Sequence, residues 1–144
     1  MHPYPHLYKV SVAAPAEGEV TLSGVDLPDL PLHAPPEFDG PPGYWSPETL
    51  LTAAVASCFV LSFRAIARAS KLEWSRVAVD VDGVLERIEG VTRFTRVTVR
   101  ARLTVPLGTD AARAHTLMEK AEKVCLVSNS LTAERHLEAE VVAG

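Results

Sequence analysis

Strict alternation of apolar and polar residues marks the second half of the chain as β-structure. Residues 76–82 and 96–105 place valine, leucine or alanine at alternate positions, with mostly charged residues or threonine between them. A period of two puts the apolar side chains on one face of a strand. Glu89 and Gly90 supply a hairpin turn, and residues 134–142 alternate in the same way. The pattern predicts a sheet with one buried and one solvated face.

Charged residues on the solvated face of this sheet carry opposite signs on neighbouring strands. Acidic side chains on the first strand are expected to pair across the hairpin with basic side chains on the second. The acidic group is Asp80, Asp82 and Glu86, and the basic group is Arg96, Arg100 and Arg102. We interpret this charge as cross-strand pairing and not as a binding surface.

The longest apolar stretch, residues 50–63, follows a strong helix-start signal. Ser46 suits the N-cap, Pro47 suits the first helical position, and Glu48 faces the positive end of the helix dipole. The predicted helix ends near residue 70 and is apolar on nearly all sides, so it needs cover on more than one side. Two copies packed back to back in a homodimer would supply it. A membrane span needs about 20 apolar residues, so this shorter run predicts a buried helix and no membrane association.

The remaining segments complete an α+β domain. The proline- and glycine-rich N-terminal part predicts short strands joined by a turn at Glu17-Gly18, then a long loop. A second helix begins with Asp110 as its cap and carries an apolar stripe. The order is strands, buried helix, long hairpin, helix, strand, which indicates one domain over residues 1–144. The predicted short strands are 7–13, 19–25 and an edge strand at 30–33, the loop is 34–45, and the second helix is roughly 110–124.

Composition narrows the class of function. The chain has 144 residues, 47% hydrophobic and 22% charged, which is typical of a soluble globular domain. A net charge of −4, with arginines interleaved among acids, gives no support to a nucleic-acid partner. No secretory leader pattern is visible, and with two cysteines the sequence predicts a reducing cytoplasm. The histidines and cysteines show no metal-ligand spacing, so we expect no metal site.

The two cysteines are the candidate reactive groups. Cys58 lies inside the apolar helix, and Cys125 closes the second helix before a polar turn. Their wide separation in the sequence excludes a local CxxC motif. If folding brings them together, one thiol attacks and the other resolves, which is the minimal equipment for thiol peroxidase chemistry. The alternative for each is a small buried hydrophobe.

Two motifs surround these cysteines. A helix opens with Pro47-Glu48 and carries Cys58 ten residues after Glu48, and residues 124–131 read Val-Cys-x-Val-Ser-Asn-x-Leu. Together with the element order, they resemble the OsmC/Ohr family, the osmotically inducible protein C and organic hydroperoxide resistance proteins. The resemblance implies an α+β OsmC-like fold with antiparallel sheets around a long buried central helix, in an intertwined homodimer. It also implies a thiol-dependent peroxidase that reduces organic hydroperoxides with a dithiol reductant and needs no cofactor.

Site residues of the family carry over onto three positions. The resemblance implies that Cys58 is the peroxidatic cysteine, that Cys125 is the resolving cysteine, and that Glu48 is the carboxylate that holds an arginine beside the reactive sulfur. Glu48 and Cys58 are separated by about 15 Å along one helix. If both serve one site, Glu48 must come from the antiparallel helix of the partner.

Aromatic residues beside the helix are candidates for a substrate pocket. Tyr44 and Trp45 precede the helix and Phe59 follows the reactive cysteine. Their rings would suit a lipophilic peroxide. The alternative for Tyr44 and Trp45 is packing of the loop.

The chain departs from the family in two places. Peroxidase members carry an arginine in the N-terminal strand region, whereas residues 1–63 contain none, and Leu126 stands where many members have proline. Without a nearby cation, a buried Cys58 is expected to have a raised pKa and to react slowly. A binding protein for a small apolar or electrophilic ligand, without peroxidase turnover, is therefore the alternative function. The candidate substitutes for the arginine are Lys9, His33 and Arg64.

Overall fold

The computed structural model describes all residues from Met1 to Gly144. A short 3-10 turn at Pro36–Phe38 precedes the first α-helix. The chain groups into two compact units, Met1–Leu50 and Leu51–Gly144, and one domain over residues 1–144 stays a prediction. The elements are β1 Ser11–Ala13, β2 Val20–Gly24, β3 Leu27–Leu32, α1 Pro47–Ala69, β4 Arg76–Ile88, β5 Val91–Val105, α2 Ala111–Val124, α3 Leu126–Asn129 and β6 Glu134–Ala143.

The first unit contains an antiparallel sheet in the order β1-β2-β3. Gly18 lies between β1 and β2 with a φ of 98°, a conformation that glycine adopts without steric cost. β3 is an edge strand, as Pro31 predicts, because proline has no N–H to donate to a second neighbour. The strand begins at Leu27, three residues earlier than predicted, directly after a turn in which Asp26 has a φ of 58°.

The start of α1 is held by two reciprocal hydrogen bonds. The backbone N–H of Thr49 donates to the Ser46 hydroxyl at 3.1 Å, and the Ser46 N–H donates to the Thr49 hydroxyl at 2.8 Å. This is a capping-box arrangement, which satisfies backbone donors that the first helical turn leaves free. It confirms the predicted cap at Ser46 with Pro47 in the first helical position.

One stripe of α1 is buried. Val55, Phe59, Phe63 and Ala67 recur every four residues and are at most 1% exposed, whereas Leu61 is 60% exposed. The chain alone therefore covers one side of a helix that is apolar on nearly all sides. At 23 residues, α1 also meets the length and composition test for a membrane span, a test that the core helix of a soluble protein meets as well.

The second unit contains a mixed sheet in the order β4-β5-β6. β4 and β5 form the predicted hairpin, and both turn residues have positive φ, 51° at Glu89 and 81° at Gly90, as a type I′ turn requires. β6 pairs with β5 in parallel, which corrects the prediction of antiparallel sheets for this one strand pair. The physical reason is the connection through α2, which returns the chain to the end of the sheet at which β5 begins, so that β6 runs in the same direction as β5.

The core of this unit lies between the sheet and the helices. Every second residue of β5 from Val97 to Val105 is at most 5% exposed, as the alternation predicts. Asp110 caps α2 by accepting from the Arg113 N–H at 3.1 Å. Val124, the last residue of α2, is 49% exposed. The stripe that is buried consists of Ala114, Leu117, Met118 and Ala121.

The outer face of the sheet carries one of the predicted ion pairs across the hairpin, and the other pairs of the same arginines are with β6. Arg100 on β5 pairs with Asp82 on one side and with Glu138 at 2.9 Å on the other, and Arg102 pairs with Glu140 at 3.5 Å. Exposed pairs of this kind contribute about 0–1 kcal/mol each. Because these ion pairs lie on a solvated face and join neighbouring strands, they support the interpretation of this charge as cross-strand pairing and not as a binding surface.

Candidate active site

The fold brings the two cysteines together. Cys58 lies in the middle of α1, Cys125 lies between α2 and α3, and the two thiol groups hydrogen-bond to each other. No disulfide joins them. Cys58 is partly exposed, whereas Cys125 is 1% exposed. One thiol is therefore accessible to a small reactant, and the other is buried.

Cys125 is positioned by a sharp break between two helices. Its backbone is extended, with φ −59° and ψ 106°, so it ends α2 and caps α3. Its N–H donates to the carbonyl of Glu122 at 3.3 Å, and its carbonyl accepts from the Asn129 N–H at 2.9 Å. Both backbone groups of Cys125 are thus fixed by hydrogen bonds, which orients the thiol.

Arg135, at the start of β6, ties both sides of this break to the sheet. Its guanidinium donates to the Glu122 carboxylate at 2.9 Å, to the Asn129 side-chain oxygen at 2.6 Å, and to the backbone carbonyl of Glu122. A planar fork of donors suits such a multiple contact. Arg135 was not predicted from the sequence, because its position on an alternating strand carries no signal of this role.

The pKa of Cys58 is lowered, which corrects the prediction that it is raised. Partial burial acts to raise the pKa of the thiol, but four hydrogen bonds outweigh it: from the Val127 N–H, the Cys125 thiol, the Ser62 hydroxyl and the Leu126 N–H. Hydrogen bonds that favour the charged form lower the pKa of an acid. The donors are uncharged, and so the thiolate is stabilised here without a cation.

The pKa of Cys125 is shifted in the opposite direction. Burial raises it most, the hydroxyl and N–H of Ser128 act to lower it, and the hydrogen bond to Cys58 raises it further. The pKa of Cys58 is therefore the lower of the two, which favours Cys125 as the hydrogen-bond donor and Cys58 as the acceptor. The thiolate is the nucleophilic form of cysteine, so the two sulfurs have distinct chemical roles.

Three of the donors to Cys58 were not predicted from the sequence. Ser62 lies four residues after Cys58, and this i, i+4 spacing on a helix was the one available signal. The N–H groups of Leu126 and Val127 carry no side-chain signature. Only the packing of the Cys125 turn against α1 places them at the sulfur.

The other predicted site residues occupy different places. Glu48 lies in the first turn of α1, about 15 Å before Cys58 along the helix. Tyr44 packs edge-on against His33, with ring centroids 4.3 Å apart, and the backbone carbonyl of Trp45 accepts from the His33 N–H at 3.2 Å. Both aromatic side chains are close to half exposed. Their contacts with His33 favour the loop-packing alternative.

Phe59 has a packing role. Its side chain has no exposed surface and belongs to the hydrophobic core. A ring that is enclosed on all sides does not line a pocket that a substrate enters. The prediction of a substrate contact for Phe59 is therefore not supported by its position.

An apolar groove of about 340 Å³ lies within the first unit. Its walls are mainly aliphatic and proline side chains, with His33 and Glu48 as the polar residues, and they do not include Tyr44 or Trp45. A volume of this size accommodates a small organic molecule. No group of three or more His, Cys, Asp or Glu side chains converges on a point that would hold a metal ion.

The chain belongs to the OsmC-like protein family, whose model matches residues 40–140. An organic hydroperoxide resistance protein of Xanthomonas axonopodis pv. citri is 35% identical over 116 residues, which cover 79% of this chain and 78% of that one. The uncharacterized protein YmaD of Bacillus subtilis is 30% identical over 118 residues, covering 78% and 79%. The resemblance seen in the sequence is thereby confirmed.

Solved structures show the same fold. An OsmC-like protein of unknown function from Vibrio cholerae has a TM-score of 0.83 and 18% identity, over 96% of this chain and all of that chain. An organic hydroperoxide resistance protein from Legionella pneumophila has a TM-score of 0.73 and 24% identity, over 96% and 98%. The α+β OsmC fold is therefore established for this chain.

Proposed function

We propose that this protein is a thiol peroxidase that reduces organic hydroperoxides through Cys58 and Cys125. The observation that carries the proposal is the hydrogen-bonded pair, in which the pKa of the accessible thiol is lowered and that of the buried thiol is raised. The relatives named as organic hydroperoxide resistance proteins support this choice of substrate.

The first step is attack of the Cys58 thiolate on the terminal oxygen of the hydroperoxide. The sulfur–oxygen bond forms as the oxygen–oxygen bond breaks, and the departing alkoxide takes up a proton to leave as an alcohol. Cys58 is oxidised to a sulfenic acid while the peroxide is reduced. The uncharged donors around the sulfur hold it in the thiolate form that attacks.

The second step uses the buried thiol. The Cys125 sulfur attacks the sulfenic acid, a disulfide to Cys58 forms, and the hydroxyl leaves as water. An external dithiol then reduces this disulfide by exchange and becomes a disulfide itself. The hydrogen bond between the two thiols supports this step, because it requires the two sulfurs to lie near each other.

We propose further that the active form is a homodimer. The exposed side of α1 contains Leu61, 60% exposed, and half-buried residues of the same apolar run. Pairing two such helices antiparallel would cover this surface and would let Glu48 of a second copy approach Cys58. Sedimentation at micromolar concentration tests this: twice the mass of the chain is expected, and a monomer would contradict the dimer.

A second candidate function is binding of a small apolar ligand without turnover. The groove within the first unit favours it, since most of its wall is apolar. This function would leave both thiols reduced after exposure to peroxide. It therefore makes the opposite prediction in the test of the peroxidase.

Mass spectrometry of the reduced protein after about one equivalent of cumene hydroperoxide tests the proposal. The expected result is rapid loss of two hydrogens, mapped to a bridge between Cys58 and Cys125, with slower reaction for hydrogen peroxide. Turnover with a dithiol donor should follow. Thiols that stay reduced over minutes would contradict the peroxidase and favour the ligand-binding function.

A further inference from the structure

Arg135 occupies a position of β6 that the alternation of this strand assigns to the core face. It pairs in register with Val97 of β5, which is 5% exposed. Three later residues of the same parity pack against the hydrophobic core: Leu137, Ala139 and Val141. A charged group on such a face is costly unless it has partners. The alternation alone does not name those partners, and the structure supplies them.

The ion pair between Arg135 and Glu122 is far less exposed than the others. The two side chains are 27% and 15% exposed, whereas every side chain in the other ion pairs is at least 42% exposed. Exposed pairs contribute little because solvent screens them. The pair at Arg135 is therefore the one that joins two elements, α2 and β6, with the least screening.

The two residues that Arg135 contacts are the same two that hold the backbone of Cys125. The Cys125 N–H donates to the Glu122 carbonyl at 3.3 Å, and the Cys125 carbonyl accepts from the Asn129 N–H at 2.9 Å. Arg135 donates to that same Glu122 carbonyl, to the Glu122 carboxylate at 2.9 Å and to the Asn129 side-chain oxygen at 2.6 Å. These hydrogen bonds form a closed ring of four residues, and β6 holds the cysteine backbone through it.

The ring matters because Cys125 has little freedom to find a reaction partner. Its side chain is 1% exposed, so its thiol reacts only with a group that is already beside it. The backbone at Cys125 is extended between two helices, a break that no helical hydrogen bonds brace from within. A displacement of about 1 Å between reacting groups is enough to slow a reaction strongly. A residue that fixes this break therefore controls how readily Cys125 reacts.

We propose that Arg135 is a positioning residue of the active site, which holds the backbone of Cys125 through Glu122 and Asn129 so that the buried thiol meets the oxidised Cys58. It acts on the resolving step and not on the first attack by Cys58. This inference rests on the proposed function in one respect, that Cys125 is the resolving residue. The step is nevertheless measurable without peroxide, because a mixed disulfide at Cys58 is resolved by the same attack.

The test is the time course of thione release from dithiodipyridine, a neutral aromatic disulfide, added at about one equivalent per chain to the reduced protein. The Cys58 thiolate attacks one sulfur of the reagent, a mixed disulfide forms and one thione leaves. The Cys125 sulfur then attacks the Cys58 sulfur, the protein disulfide forms and the second thione leaves. The two phases of absorbance therefore report the two cysteines separately, and mass spectrometry verifies the bridge.

Wild type is compared with Arg135→Met, Arg135→Lys and, as the matched control, Arg102→Met, which removes an arginine whose ion pair lies on the solvated face. For Arg135→Met we expect the second phase to slow about tenfold and the first phase to stay within about twofold of wild type, since a hydrogen bond between charged groups is lost. Arg135→Lys should slow the second phase about threefold, because an ammonium group lacks the planar fork. Arg102→Met should follow wild type in both phases.

A second phase of wild-type rate in Arg135→Met would overturn the proposal. So would equal slowing of both phases, slowing in Arg102→Met, or a wild type without a second phase. Thermal unfolding verifies that each variant is folded, and if Arg135→Met does not fold, Arg135→Lys decides by the same criteria. If wild type consumes no hydroperoxide but the two phases respond as expected, the proposed function fails while the role of Arg135 stands.

Discussion

Cys58 and Cys125 are chemically identical residues in two different regions of the molecule. Cys58 sits in the middle of a long helix, is partly exposed and is surrounded by hydrogen-bond donors. Cys125 lies at the junction of two helices, is 1% exposed and donates a hydrogen bond to the Cys58 sulfur. The comparison shows that position in the fold, and not residue type, decides which thiol has the lower pKa.

Burial acts on both residues in the same direction and so does not explain the difference between them. It raises the pKa of each thiol, and it is the largest single contribution in both. The difference arises from the donors. Four hydrogen-bond donors act on the Cys58 sulfur, and the Cys125 thiol is one of these four. Within the pair, Cys58 therefore accepts the hydrogen bond and Cys125 donates it.

The largest expected effect comes from removing the nucleophile. Cys58→Ser should abolish consumption of organic hydroperoxide, because a serine hydroxyl is not ionised at neutral pH and does not form a sulfenic acid. Peroxide consumption with a dithiol donor measures this, with wild type and Cys125→Ser in parallel. Retained consumption in Cys58→Ser would reverse the assignment of roles.

A smaller loss of peroxide consumption is expected for Cys125→Ser, and it differs in kind from that of Cys58→Ser. Cys58 should still reduce about one equivalent of peroxide per chain, and the sulfenic acid should accumulate because no second thiol condenses with it. Trapping with dimedone and mass spectrometry measures the sulfenic acid. If the variant instead turns over with a dithiol as fast as wild type, Cys125 is not the resolving residue.

The pH dependence of alkylation separates the two thiols in the wild type. Alkylation of each cysteine accelerates as rising pH passes its pKa, because the thiolate replaces the thiol. Cys58 should reach half of its maximal rate at a lower pH than an ordinary cysteine, and Cys125 at a higher pH. Peptide mapping over a pH series measures both in one sample, and a coincident or reversed order would contradict the comparison.

The smallest predicted effect concerns a single backbone donor. Leu126→Pro removes the N–H that donates to Cys58, and proline is accommodated at the first position of a helix after an extended residue such as Cys125. We expect alkylation of Cys58 to slow about threefold at neutral pH, as one hydrogen bond to an anion is lost.

Leu126→Ala is the matched control for this substitution. It keeps the N–H and removes a side chain that is 70% exposed, so its profile should match wild type. A wild-type profile for Leu126→Pro would show that this N–H does not stabilise the thiolate. An equal shift in both variants would assign the effect to the side chain.

Much of the fold followed from local patterns. The alternation in β4 and β5, the turn at Glu89-Gly90 and the cap at Ser46 predicted elements that the structure contains, because strand period, turn conformation and capping depend on neighbours in the sequence. The parallel pairing of β6 with β5 was missed, since alternation fixes the faces of a strand but not the direction of its partner.

Family motifs identified Cys58 and Cys125 as a pair, but the pKa of Cys58 was predicted to be raised, whereas it is lowered. The sequence shows an apolar run and no arginine in residues 1–63, and from these a raised pKa follows. Backbone N–H groups are present at almost every residue, and so no sequence pattern predicts which of them will donate a hydrogen bond to a sulfur. Arg135 was missed for a similar reason, as its partners come from another element.

Side-chain types and local spacing were enough to predict most of the elements, the family and the two candidate thiols. Which thiol has the lower pKa was set by tertiary contacts. That choice depends on a few donors brought from the Cys125 turn to the middle of α1, and hydrogen bonds act over about 3 Å, a distance that only folding sets between residues so far apart in the chain.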